Sequence, residues 1–143
     1  MTSLAKEKIF EKLENFGEYL KYLRQLEKEA GEEAAFIADF RLFGSVERYL
    51  QLSIQSVIDI AHLLIIDLNL KRPEDNYEAI SLLHDQNIVS GDLAQILTRM
   101  IGLRNILVHE YGKIDRAKIY EVLKNQLYDL ERFQKEILGY LEK

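Results

Sequence analysis

A chain of 143 residues accommodates one domain, expected here to span residues 1–143. A domain of this size buries roughly 68–70% of its unfolded surface and needs no disulfide or structural metal to hold a core. Cysteine is absent, which removes disulfide frameworks, thiol nucleophiles and thiolate metal sites and fits the cytoplasm; the formal net charge of −5 argues against indiscriminate nucleic-acid binding.

The elements follow a helical period almost throughout. Residues 1–10 carry Lys6, Glu7 and Lys8 and lack the continuous apolar run of a secretory signal. From Ile9 the apolar positions recur at spacings of three and four: Leu13, Phe16, Leu20, Leu23 and Leu26. That spacing predicts one face of an amphipathic helix, punctuated by Gly31. A second, longer segment runs from Glu32 to Leu70. Its first part carries the stripe Phe36, Phe40, Phe43, Val46, Leu50, with Gly44 as a possible break. Its second part is apolar on more than one face, which predicts either the central helix of a bundle or a subunit interface. The most apolar stretch, Ile60 to Leu70, is shorter than the ~20 residues of a membrane span, so the chain is expected to be soluble.

Pro73 then breaks the chain. Asp75 followed by Glu78 forms an Asp version of the capping box and predicts a short helix over residues 76–86. Ser90 suits the N-cap of a further helix bearing Leu93, Ile96, Leu97, Met100, Ile101, Leu107 and Val108, with Gly112 placed to end it. Asp115 can cap the last helix, whose stripe is Ile119, Val122, Leu123, Leu130, Phe133, Ile137 and Leu141. Alternating strand patterns are absent, and a single Pro with seven Gly is too few turn residues for a sandwich or barrel. The expectation is an all-α, up-and-down bundle of about five helices.

One segment concentrates polar chemistry: Arg104-Asn105-Ile106-Leu107-Val108-His109-Glu110-Tyr111. It lies in a region of mixed charge, with five Lys/Arg against three Asp/Glu over residues 88–120. Residues 1–40, in contrast, hold six against nine. Asn105 and His109 share a helix face, whereas Arg104 and His109 lie about 140° apart on an ideal helix. A single copy presents both on one face only if the Arg side chain wraps round. Two copies facing each other solve the geometry. The residue types suit RNA cleavage. Histidine titrates near neutrality and can take the proton of a ribose 2′-OH, while arginine can grip a phosphate through its planar fork. The reaction requires neither metal nor other cofactor, and the 2′-OH restricts it to RNA.

The plainer readings are concrete as well. Arg104 and His109 could be cations favoured by a helix C-terminal dipole, Tyr111 an aromatic stapling the helix end, and Asn105 a polar bystander. His62, in the most apolar helix, reads as a hydrogen-bonded core residue, and His84 is not assigned a catalytic role. Asp59 and His62 make a lone Asp-x-x-His, short of the motif pair a di-iron bundle uses, and His-Glu-x-x-His is absent.

Arg104-Asn105 followed by His109 is the Arg-x4-His pattern of HEPN domains. With Tyr111 it resembles the Arg-x4-His-x-Tyr form of the HepT-like toxins within that superfamily. The run Glu47-Arg48-Tyr49-Leu50-Gln51 through Asp59-Ile60-Ala61-His62 resembles the family's second helix, and Asn87-Ile88-Val89-Ser90 leads into the next helix as it does there. The resemblance covers roughly residues 35–125. It implies a HEPN-like homodimer, with the two Arg-x4-His segments meeting across a cleft, that acts as an RNase toxin. Arg104 and His109 would be catalytic, and Asn105 and Tyr111 would contact substrate. The implied partner is a minimal nucleotidyltransferase antitoxin, which in some pairs transfers AMP onto the motif tyrosine, here Tyr111. Phosphate charge and bulk at that position would exclude RNA from the cleft. Two rivals stand beside this reading. One is a non-catalytic helical module that binds a nucleotidyltransferase and is modified by it, which the acidic net charge favours. The other, ranked last, is a bundle binding a small ligand between its helices.

Overall fold

Apolar residues three and four apart wind the N-terminal segment into α1 (Ser3–Ala30), which buries Ile9, Leu13, Phe16, Leu20 and Leu23 on one face. In the computed structural model, which describes residues 2–109 and 115–143 (the backbone alone at 108 and 109), the Thr2 hydroxyl caps this helix by accepting from the Ala5 N–H at 3.1 Å. Gly31 ends it with φ of +63°, a left-handed backbone that costs glycine no Cβ clash.

A short helix, α2 (Glu33–Ala38), stops at Asp39, whose carboxylate starts α3 (Phe40–Asp67) by accepting from the Arg41 and Leu42 N–H groups at 3.1 Å each. The break in the second segment thus falls at Asp39, and α3 passes through Gly44 uninterrupted. An aspartate can satisfy the backbone donors of a new helix and so competes with continuation, whereas one interior glycine costs only about 1 kcal/mol. The break rotates Phe40 out of the expected stripe. It is 69% exposed, while Phe36 and Phe43 are buried with their rings edge to face at 6.1 Å.

The helix that is apolar most of the way round is the centre of the bundle: α3 packs against α1 and α2 as well as α4 (Asn76–Asp85), α5 (Gly91–His109) and α6 (Arg116–Asn125). Its apolar window is wider than the Ile60–Leu70 stretch and by length and composition would suit a bilayer. Within the bundle 56% of that window is buried, as the multiple packing partners require. Asn69 and Asn87, with φ of +55° and +59°, turn the chain out of α3 and α4 in the left-handed region that asparagine tolerates better than most residues.

The capping box before α4 forms with a small shift. Asp75 Oδ1 accepts from the Glu78 N–H at 2.8 Å, and Glu78 Oε2 returns to the Glu74 N–H at 3.2 Å instead of to the cap residue's own. Asp75→Ala is expected to lower the unfolding free energy by about 1 kcal/mol, measured by urea denaturation. An unchanged midpoint would show this cap to be idle.

The expected last helix is two. Asp115 caps α6 (Arg116–Asn125) through the Ala117 and Lys118 N–H groups, and Gln126, at φ −123° and ψ 3°, separates it from α7 (Leu127–Leu141). Both halves keep the apolar stripe, with Ile119, Val122 and Leu123 buried in α6 and Leu130, Phe133, Ile137 and Leu141 in α7. The described residues hold seven helices and no strand, in the all-α class expected. Their buried side chains form one continuous apolar core.

Candidate functional site

Helix α5 is anchored at its start and carries its chemistry at its end. At the start, Arg132 of α7 reaches Asp92 at 3.0 Å, with Asp129 and Glu136 at 3.7 and 3.6 Å. The hydrogen bond from Arg132 holds the Asp92 carboxyl below the usual carboxylate range. The Ser90 N–H and hydroxyl both donate to the Glu136 carboxylate, at 2.8 and 3.1 Å. These contacts pin the N-terminal end of α5 to α7, and buried Leu93, Leu97, Met100, Ile101 and Leu107 seat its apolar side in the core.

At the other end, Arg104 is half-buried between α3 and α5. Its Nη2 donates to Gln55 Oε1 of α3 at 2.6 Å, and its Nη1 donates to Asn105 Oδ1 at 3.3 Å. Its Nε is buried and has no partner among the described residues. Gln55 in turn donates from Nε2 to Asp59 Oδ1 at 2.8 Å, one helical turn along α3, and the second Asp59 oxygen lies 3.4 Å from Lys12 Nζ of α1. Asn105 Nδ2 donates to the Tyr77 hydroxyl of α4 at 3.3 Å. A polar chain therefore runs across four helices, from Lys12 through Asp59 and Gln55 to Arg104, then on through Asn105 to Tyr77. Nη1 and Nη2 each carry two N–H groups and use one of them within this chain. Among the described residues the other pair is unused, which leaves the guanidinium able to take an anion while its orientation is held.

Of the residues the sequence singled out, Arg104 and Asn105 come together here, and Asn105 braces Arg104. His109 is the last residue of α5; its side chain, and the whole of Tyr111, lie outside the described residues. Because α5 runs as one helix from Gly91 to His109, the angular separation of positions 104 and 109 stands as expected. Gln55, Asp59 and Tyr77 were not foreseen. Their signal was faint: Gln55 and Asp59 are polar residues four apart in a helix otherwise rich in Ile, Leu and Val.

The remaining histidines hold local structure. His62 Nε2 is 3.0 Å from Asn76 Oδ1, and His84 Nδ1 donates to the Val89 carbonyl at 3.1 Å. Asp59 and His62 diverge to different partners, and no group of three or more His, Asp or Glu is placed to share a metal ion among the described residues. An open hollow of about 370 Å³, lined by His84, Ser90, Glu136 and Tyr140 among others, lies at the start of α5, away from Arg104.

A model of the family described as "Ribonuclease HepT-like" matches residues 16–137, from midway along α1 into α7. The chain belongs to the HepT-like ribonuclease family. Among curated HepT-like relatives, the mRNA nuclease HepT of Shewanella oneidensis is 31% identical over 111 residues, 78% of this chain and 84% of that protein. The tRNA nuclease HepT of Aphanizomenon flos-aquae is 30% identical over 99% of this chain and 95% of its own length. A solved structure of a tri-AMPylated HEPN toxin of Shewanella oneidensis in complex with MNT antitoxin superposes with a TM-score of 0.84. It is 28% identical, over 97% of this chain and 99% of that one. The HepT-like match extends beyond the 35–125 region that carries the motif resemblance, so α1 and α7 belong to the shared fold.

Proposed function

We propose that this chain, a single HepT-like domain over residues 1–143, is the toxin of a toxin–antitoxin pair and cleaves RNA as a metal-independent endoribonuclease. The observation that carries the reading is the guanidinium of Arg104, held towards the end of α5 by Gln55 and Asn105 with one N–H on each terminal nitrogen unused among the described residues. In the proposed reaction the ribose 2′-OH attacks the adjacent phosphorus and His109 takes its proton. Arg104 stabilises the charge that builds on the phosphate oxygens, and the 5′ oxygen leaves with a proton from a general acid. The products are a 2′,3′-cyclic phosphate and a free 5′-hydroxyl. Asn105 orients Arg104, and Tyr111 contacts the RNA.

The site is completed by a second copy of the chain. The support is geometric: Arg104 and His109 project from different sides of one helix, and facing copies bring them to a shared gap. Surface beside Arg104 suits such a contact, since Ile106 and Tyr77 are each 40% exposed. The partner is a minimal nucleotidyltransferase acting in the cytoplasm, and Tyr111 is the residue that would accept AMP from it.

Expression of the chain alone in bacterial cells tests the reading. Growth arrest with degraded RNA, relieved by co-expression of the cognate nucleotidyltransferase, is the expected result. Normal growth with intact RNA would favour the rival, a non-catalytic module that the nucleotidyltransferase binds and modifies, for which the net charge of −5 speaks.

A further inference from the structure

We infer that Gln55 is a positioning residue for Arg104 in RNA cleavage, with Asp59 fixing the Gln55 amide so that its oxygen faces the guanidinium. The inference rests on the nuclease reading above and adds to it the device that aims the arginine.

The donor and acceptor inventory leaves one arrangement. Arg104 offers only donors, and the Asp59 carboxylate offers only acceptors. A side-chain amide carries one of each and can bridge them, with oxygen to Arg104 at 2.6 Å and nitrogen to Asp59 at 2.8 Å. The flipped amide would set N–H against N–H and oxygen against carboxylate, losing both bonds. Gln55 and Asp59 are four residues apart on α3 and so share the face that meets α5. Lys12 occupies the other Asp59 oxygen.

The bridging group is neutral, and that bears on the chemistry. A glutamate at position 55 would pair with Arg104 as a charge and compete with a phosphate for it. Gln55 orients the guanidinium without neutralising it. Asn105, which holds the other terminal nitrogen, is also a neutral amide. The two charged members of the chain, Asp59 and Lys12, stand one step further away and pair with each other, so the positive charge of Arg104 stays available to a ligand.

The test uses the purified full-length protein and a defined RNA. Gln55→Met keeps the length of the side chain and removes both hydrogen bonds. It should lower kcat about ten- to a hundredfold, the scale of one lost hydrogen bond to a charged group, with KM nearly unchanged. Gln55→Glu keeps the shape and should instead raise KM, as its carboxylate competes with RNA phosphate. A cycle with Arg104→Lys separates positioning from mere folding support. In that background Gln55→Met should have little further effect, because the fork it aims is already gone. Losses that multiply fully across the cycle would overturn the inference, as would Gln55→Met cutting at the normal rate beside an inactive Arg104→Ala protein. Normal cutting by Arg104→Ala itself would overturn the nuclease reading of this site and the role of Gln55 with it.

Discussion

Arg104→Ala and His109→Ala proteins are each expected to cut RNA at least 10²-fold more slowly than the unaltered chain while keeping its helical content and oligomeric state. The magnitude follows from the roles. Removing one preorganised donor from a developing oxyanion typically costs about 10²–10³ in rate, and removing a general base or acid typically costs about 10²–10⁴. Two features keep the Arg104 effect out of the folding equilibrium. The guanidinium is half-buried at the end of α5, and its partners are other side chains rather than the backbone of the core. Truncation does leave Gln55 Oε1 and Asn105 Oδ1 without their donor, a cost water can absorb at a partly exposed position. The measurement is steady-state cleavage of a labelled RNA, with circular dichroism and light scattering as controls. Near-normal turnover by either variant would remove that residue from the chemistry. Arg104→Lys should recover only part of the rate, since an ammonium supplies charge without the planar fork.

The all-α class and most of the core were legible because helical period reports burial directly, whereas the apolar girth of α3 left bundle centre and subunit interface both open until its packing partners were seen. The helix count was not legible, for two different reasons. Asp39 interrupts α2 and α3 by capping, a signal present in the sequence but indistinguishable there from an ordinary surface aspartate in a long amphipathic run. Gln126 stands between α6 and α7 with no side-chain cap hydrogen bond, so the break lacks the capping mark by which a sequence announces a new helix. The site divides in the same way. Arg104 and Asn105 stood out because they cluster with His109 and Tyr111 within eight residues. Gln55 and Tyr77 lie 49 and 28 positions from their partners, and only the crossing of α3, α4 and α5 brings them together. Spacing along one helix can reveal a motif, but it carries no information about which distant amide will aim it.

The second large effect is on stability. Phe16→Ala is expected to lower the unfolding free energy by about 3–5 kcal/mol, as for other fully buried aromatics replaced by alanine. Phe16 is 0% exposed and meets Phe133 of α7 edge to face at 5.9 Å, joining the N-terminal and C-terminal helices of the fold. The cost combines lost transfer energy, a cavity the neighbouring helices cannot close, and an aromatic pair broken. Against a total stability of about 5–15 kcal/mol that is a large fraction. At roughly 2–4 °C per kcal/mol for a domain near this size, the melting temperature should fall by about 10 °C. Phe133→Ala in the same background should cost less than it does alone, because the two rings share one contact and one cavity. A melting temperature within a degree or two of the unaltered protein would mean that α1 and α7 are held together by something other than this pair. The consequence would reach the site, since α7 is also the helix whose Arg132 and Glu136 fix the start of α5. If the core pair is what seats α7, Phe16→Ala should also slow RNA cleavage at temperatures approaching its lowered midpoint while leaving the rate nearly intact well below it.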